Sequence, residues 1–187
     1  MRKIIAAINM TLDGFCDHTG MVADDELHQH YQELLSHAGV ILYGRVTYEL
    51  MEFWRTVIEK PTGNKATDEF ALAMDKVPKI VFSRTLKTLE WHSAKLATKS
   101  LKEEVEDLRQ SRIEEARNIY VGSPGLIATL TQLGLIDEYQ LCIHPVILGK
   151  GLPLFKNLQE RINLRLQGTK TFSSGSMLLY YARQKDT

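Results

Sequence analysis

The chain has 187 residues, of which 44% are hydrophobic and 25% charged, enough for one core and too apolar for a disordered polymer. Lys plus Arg and Asp plus Glu both number 23, so the net charge is zero and the basic excess of a nucleic-acid binder is missing. Cys16 and Cys142 are too few for a disulfide framework or a structural zinc site, and no stretch approaches the roughly 18 apolar residues of a membrane span. These features lead us to expect a cytoplasmic protein with reduced thiols that binds neither nucleic acid nor membrane.

Residues 3–8 predict a buried strand closed by the turn-forming Thr11-Leu12-Asp13-Gly14. Asp24 or Asp25 caps a helix to about His37, with Leu27, Tyr31, Leu34 and Leu35 on one face. Residues 38–43 form a second strand, followed by Gly44-Arg45 and a helix over 46–55. A loop at 60–64 leads to a short helix over 66–74. Residues 78–82 are a third strand, ended by Ser83-Arg84-Thr85. A polar helix spans 100–112. Residues 118–121 are a strand, then Gly122-Ser123-Pro124-Gly125 opens a helix to about Leu133.

From Asp137 the helices stop. Residues 138–143, 163–167 and 176–183 read as strands, with turns at Gly134 and at Gly149-Lys150-Gly151. Strands alternating with helices imply right-handed crossovers and a parallel sheet, and the strand-only tail adds antiparallel neighbours. The expectation is a single α/β domain over 1–187 with a mixed, mostly parallel sheet.

Three strand-to-helix junctions are candidate phosphate sites, because ligands of such sheets bind at the carboxyl ends of the strands. At the first, Gly44 permits close approach, Arg45 offers a bidentate fork and Thr47 a hydroxyl. At the second, Ser83 and Thr85 flank Arg84. At the third, Gly122, Ser123 and Gly125 would admit a pyrophosphate beside the helix that starts at Pro124. Each turn taken alone is equally a helix start or a tight loop, and neither standard nucleotide fingerprint is present.

His28 and His30 sit two apart, which on a helix points them in different directions, so no metal is expected and both read as exposed histidines. Asp13 is either a turn residue or a proton donor. Tyr43, Tyr48, Phe53 and Trp54 read as core, with Trp54 a candidate to stack on a planar substrate. His144 reads as structural.

Five motifs in order carry a family resemblance. They are Thr11-Leu12-Asp13-Gly14, the run Leu42 to Glu49 with Gly44-Arg45 and Thr47-Tyr48-Glu49, and Ser83-Arg84-Thr85 after a Val-Phe strand. Ile119-Tyr120-Val121-Gly122-Ser123 follows, then Leu135-Ile136-Asp137-Glu138 leading to Pro145-Val146-Ile147-Leu148-Gly149-Lys150-Gly151 and Leu154-Phe155. In these the chain resembles the dihydrofolate reductase-like superfamily, and more closely stand-alone relatives of the C-terminal reductase domain of bacterial riboflavin biosynthesis.

The resemblance implies a three-layer fold with helices on both sheet faces, NADPH as cofactor, and a homodimer. It implies that Gly44, Arg45 and Thr47 meet cofactor phosphates, and that Ser83, Arg84 and Thr85 surround the adenosine 2′-phosphate. Gly122, Ser123 and Gly125 take the pyrophosphate, with Leu126 beside it, and Ala7 and Ile8 lie against the nicotinamide. Asn9, Asp13, Asp25, His28 and Trp54 fall on the substrate side. The candidates to supply a proton to the reduced product are Asp13, Asp24, Asp25 or a bound water.

The implied activity is hydride transfer to a small planar or carbonyl-containing acceptor. That acceptor is pyrimidine- or pteridine-like, as for a 5-amino-6-(5-phosphoribosylamino)uracil reductase or a dihydrofolate reductase. A non-catalytic NADPH-binding or regulatory domain is the alternative. The chain departs from folate reducers at the first long helix, where the place of their carboxylate falls on His28 and the preceding Pro-Trp is missing.

Overall fold

The computed structural model describes residues 1–21, 23–111, 117–156 and 158–184. In chain order its elements are β1 (Ile4–Thr11), α1 (Asp25–His37), β2 (Val40–Gly44), α2 (Arg45–Met51), α3 (Phe53–Glu59) and α4 (Lys65–Lys76). Next come β3 (Lys79–Phe82), β4 (Ala94–Leu96), α5 (Leu101–Gln110), β5 (Ile119–Val121) and α6 (Pro124–Gln132). Strands β6 (Glu138–His144), β7 (Leu164–Thr171) and β8 (Met177–Arg183) end the order. The class is α/β with mixed strands, as the alternation in sequence predicts.

The described residues form two compact units, one of Met1–Arg2 and Ala23–Tyr120, the other of the rest. In the first, β2 pairs in parallel with β3, and β3 with β4. In the second, β1 pairs in parallel with β6, while β8 runs antiparallel to both β6 and β7. The chain passes from one unit to the other within β5.

The first unit is built around Leu35, Ile41, Tyr43, Tyr48, Phe70, Met74, Val81 and Trp91, all buried. Tyr43 and Tyr48 are core, as expected. Phe53 is not: it is 59% exposed. The helix expected over 46–55 is two helices that meet at Glu52 and run on to Glu59. Separate anchors explain the break. On α2, the Tyr48 hydroxyl accepts the N–H groups of Glu90 and Trp91 at 2.9 and 3.3 Å, whereas α3 lays Trp54 edge-on to Phe70 of α4 at 4.5 Å.

Lys79 is buried under the C-terminus of α4. Its ammonium donates to the carbonyls of Met74 and Val77 and to Ser93, and lies 4.2 Å from the centre of the Trp91 ring. A cation there complements the negative end of the helix dipole. Burial still pushes its pKa down to about 8.

In the second unit β1 runs three residues past its expected end. Its register with β6 continues to the pair Thr11 and His144, so Asn9 and Thr11 are strand residues. The expected turn follows, with the Gly14 N–H donating to the Thr11 carbonyl at 2.9 Å. Strand β7 extends to Thr171, and a register shift falls between Leu166 and Gly168. The polar helix is α5, capped reciprocally by Ser100 and Glu103, and its expected end at Arg112 lies outside the described residues. Among the described residues no helix is long and apolar enough to cross a membrane.

Candidate functional site

In the first unit β2 delivers Gly44 as the N-cap of α2, in extended conformation. Arg45, exposed, is paired along its own helix with Glu49 at 2.9 Å, and Thr47 is half-buried. The i,i+4 spacing of Arg45 and Glu49 was visible in the sequence as a pairing signal. At the end of β3, the Ser83 hydroxyl accepts the backbone N–H groups of Thr85 and Leu86 at 3.2 and 3.0 Å. Ser83 thereby closes its own turn and holds Arg84 and Thr85 out to solvent. Arg84 pairs with no carboxylate among the described residues.

The start of α1 is occupied by structural contacts. Asp24 caps the helix by accepting the Leu27 N–H at 2.7 Å, and Asp25 accepts from the Asn64 amide at 2.9 Å. His28 is half-buried, which corrects the expectation of an exposed ring. It stacks on Phe70 and meets Trp54 edge-on, both at 5.6 Å, with Nδ1 3.4 Å from the Thr67 hydroxyl. Burial lowers its pKa, and Asp25 and Asp24 oppose that shift only in part. His30 is half-buried too and lies against Tyr31. The structure therefore gathers Asp25, His28 and Trp54 around one helix junction. Among the described residues no group of three His, Cys, Asp or Glu side chains is placed to hold a metal.

In the second unit Ala7 and Asn9 are the two residues of β1 that are not fully buried, and their spacing puts them on one face. Ile8 points to the other face and is buried. Asn9 reaches the buried His144 ring, with its carbonyl oxygen 3.2 Å from Nε2, and His144 Nδ1 lies 3.2 Å from the Ser176 hydroxyl. Sequence reasoning missed this link, since 135 residues separate Asn9 from His144 and no local pattern joins them.

Asp13 is exposed and fully engaged as an acceptor. It takes the Thr11 hydroxyl at 2.6 Å, the Gly149 N–H at 2.7 Å and the Leu148 N–H at 3.1 Å. The Thr11 hydroxyl first, and then these N–H groups, hold its carboxyl below the usual range. After β5, Ser123 is buried and caps α6 without a side-chain hydrogen bond to the first turn. Gly125 is exposed, and a Cβ added there would meet no atom within 4 Å. Leu126 is half-buried beside it. Each unit thus carries groups that fit a phosphorylated cofactor: in one an exposed guanidinium between two hydroxyls, without a carboxylate partner among the described residues, in the other an open glycine in the first turn of a helix.

A family model described as the RibD C-terminal domain matches residues 2–178. The uncharacterized protein YyaP of Bacillus subtilis (strain 168) is 34% identical over 184 residues, covering 96% of this chain and 94% of that protein. Among solved structures, a putative riboflavin biosynthesis protein from Shewanella sp. PV-4 superposes with a TM-score of 0.70 at 18% identity, over 99% of this chain and 100% of the other. A pyrimidine reductase-like protein from Corynebacterium diphtheriae gives 0.66 at 15% identity, over 99% and 93%.

Proposed function

Because the chain belongs to the RibD C-terminal domain family, we propose that it is an NADPH-dependent reductase acting on a small pyrimidine-like acceptor. We read residues 1–187 as one domain of that family, working in the cytoplasm as a homodimer. The observation that carries the cofactor assignment is the Ser83–Leu86 turn, which closes on its own hydroxyl and leaves Arg84 exposed beside Thr85, with no carboxylate partner among the described residues. A guanidinium so presented suits a phosphate monoester, the group by which NADPH differs from NADH.

NADPH, when bound, supplies hydride from its nicotinamide ring. In the first unit Arg84, Ser83 and Thr85 bind the 2′-phosphate, and Arg45 exchanges Glu49 for a cofactor phosphate, with Gly44 and Thr47 beside it. In the second unit Gly122, Ser123 and Gly125 would let the pyrophosphate approach the backbone of α6 with Leu126 alongside, and Ala7 would lie against the nicotinamide, whereas Ile8, turned to the other face of β1, would offer only its backbone there. Asn9 contacts the acceptor, whose class follows from the family and from the half-polar face of β1. Asp13, ionised and committed to four acceptor contacts, shapes the substrate side rather than donating a proton. The proton then comes from water.

The engagement of Asp24, Asp25 and His28 in capping and ring packing favours pyrimidine over folate reduction. It is also the observation behind the second reading, a domain that binds NADPH without turning it over. Loss of NADPH absorbance with pyrimidine acceptors supplied in turn separates the two. Acceptor-dependent oxidation is expected. Tight NADPH binding with no consumption across pyrimidines, dihydrofolate and quinones would select the second reading.

A further inference from the structure

Asn9, His144 and Ser176 come together from three segments of one unit. Asn9 belongs to β1 and His144 closes β6. Ser176 ends the hairpin turn whose Gly175 has φ +82° and directly precedes β8. His144 and Ser176 are completely buried, while Asn9 is partly open. Buried polar side chains are costly unless satisfied, so a His–Ser pair in this position calls for a reason.

The bonding directions are set by the asparagine. Its carbonyl oxygen faces Nε2, so Nε2 must donate, which leaves Nδ1 as the acceptor of the Ser176 hydroxyl. Ser176 accepts in turn from the Ser174 hydroxyl at 3.1 Å. The three side chains form a directed relay that ends on the Asn9 oxygen and turns its NH2 edge away from His144.

We propose that His144, held by Ser176, is a positioning residue that fixes the Asn9 carboxamide so that its NH2 edge reads a carbonyl oxygen on the acceptor. This rests on the reductase reading, which puts the acceptor on the face of β1 shared by Ala7 and Asn9. An amide nitrogen carries two hydrogens, so it can serve a protein neighbour and a ligand together. With the oxygen held inward, the same asparagine rejects a donor where it accepts a carbonyl, and a buried mismatch is what gives such sites selectivity.

The test uses the full-length protein and uracil, a bare cyclic lactam, as probe. Nitrogen-15 spectra of the His144 ring and the Asn9 side chain are recorded with NADPH, before and after uracil. The expected result is hydrogen on Nε2 and not Nδ1, and a shift of the Asn9 NH2 signals on adding uracil. Asn9→Ala and His144→Phe should each weaken uracil binding about tenfold and by more than they weaken NADPH binding. His144→Gln, which keeps a donor, should recover part of the loss.

Hydrogen on Nδ1, an Asn9 signal indifferent to uracil, or Asn9→Ala binding uracil as the wild type does would each overturn the proposal. If His144→Phe does not fold, the wild-type spectra and Asn9→Ala still decide. Failure of the parent reading shows separately, as absence of NADPH binding by the wild type.

Discussion

The carboxylate of Asp13 accepts the backbone N–H of Gly149 at 2.7 Å, joining the turn after β1 to a residue 136 positions further along. Gly149 has φ +78°, a conformation that side chains with a Cβ rarely adopt, so the glycine lets the loop present this N–H to the carboxylate. Leu148 donates to the same group, and the Leu12 and Cys16 N–H groups bond the carbonyls of Val146 and Leu152. One side chain thus clasps two loops.

Asp13→Asn should loosen this clasp. Hydrogen exchange at the Leu148 and Gly149 amides should accelerate on the order of tenfold, because charged acceptors make the stronger bonds. The carboxyl is held below its ordinary value, so its contribution is complete above pH about 4. It is lost only as pH falls through the lower folded value. Unchanged exchange at both amides would show that the backbone bonds alone hold the loops.

Lys79 and Cys16 should pull the alkaline stability curve in opposite directions. Burial lowers Lys79 to about 8, so between pH 8 and 10 the unfolded chain binds more protons and Lys79 makes stability rise with pH. Burial raises Cys16 from 9.0 to about 12, so above pH 9 the unfolded thiol ionises first and stability falls. Urea unfolding should show Lys79→Met losing stability relative to wild type across that window, by about 2 kcal/mol at pH 10. Cys16→Ala should gain relative to wild type. Parallel curves for all three proteins would contradict both assignments.

His28 should govern part of the acid limb. Its folded pKa lies below the ordinary value of about 6.5. As pH drops below 6.5 the unfolded chain takes up the proton first, and stability falls. His28→Phe should flatten this limb while keeping ring contacts with Phe70 and Trp54. Phe70→Ala, which removes the buried partner of both rings, should cost about 3–5 kcal/mol at neutral pH. Tryptophan fluorescence during urea unfolding at pH 7.5 and 5.5 reads both effects, and an acid limb unchanged in His28→Phe would remove His28 from the account.

Much of this architecture was legible in the sequence because its signals are local. The Asp24 cap, the Thr11–Gly14 turn and the runs that became β2, β3 and β5 each act through neighbours a few residues away. What escaped is set at a distance. Strand β4 is only Ala94–Leu96, too short and too polar to read, and exists through its pairing with β3. The break at Glu52 lies among good helix formers and reflects where Tyr48 and Trp54 are anchored. His28 and Trp54 were readable as residues of interest, but their meeting through Phe70 was not. Arg84 was visible as a charge on a turn; that Ser83 consumes its own hydroxyl to hold it out required the structure.

The most direct test is titration of the protein with NADPH and, separately, with NADH, followed by energy transfer from Trp54 and Trp91, for the wild type and Arg84→Ala. The expectation is saturable binding that favours NADPH, with Arg84→Ala erasing about tenfold of that preference while leaving NADH affinity nearly unchanged. Equal affinity for the two cofactors in the wild type, or binding of neither, would contradict it.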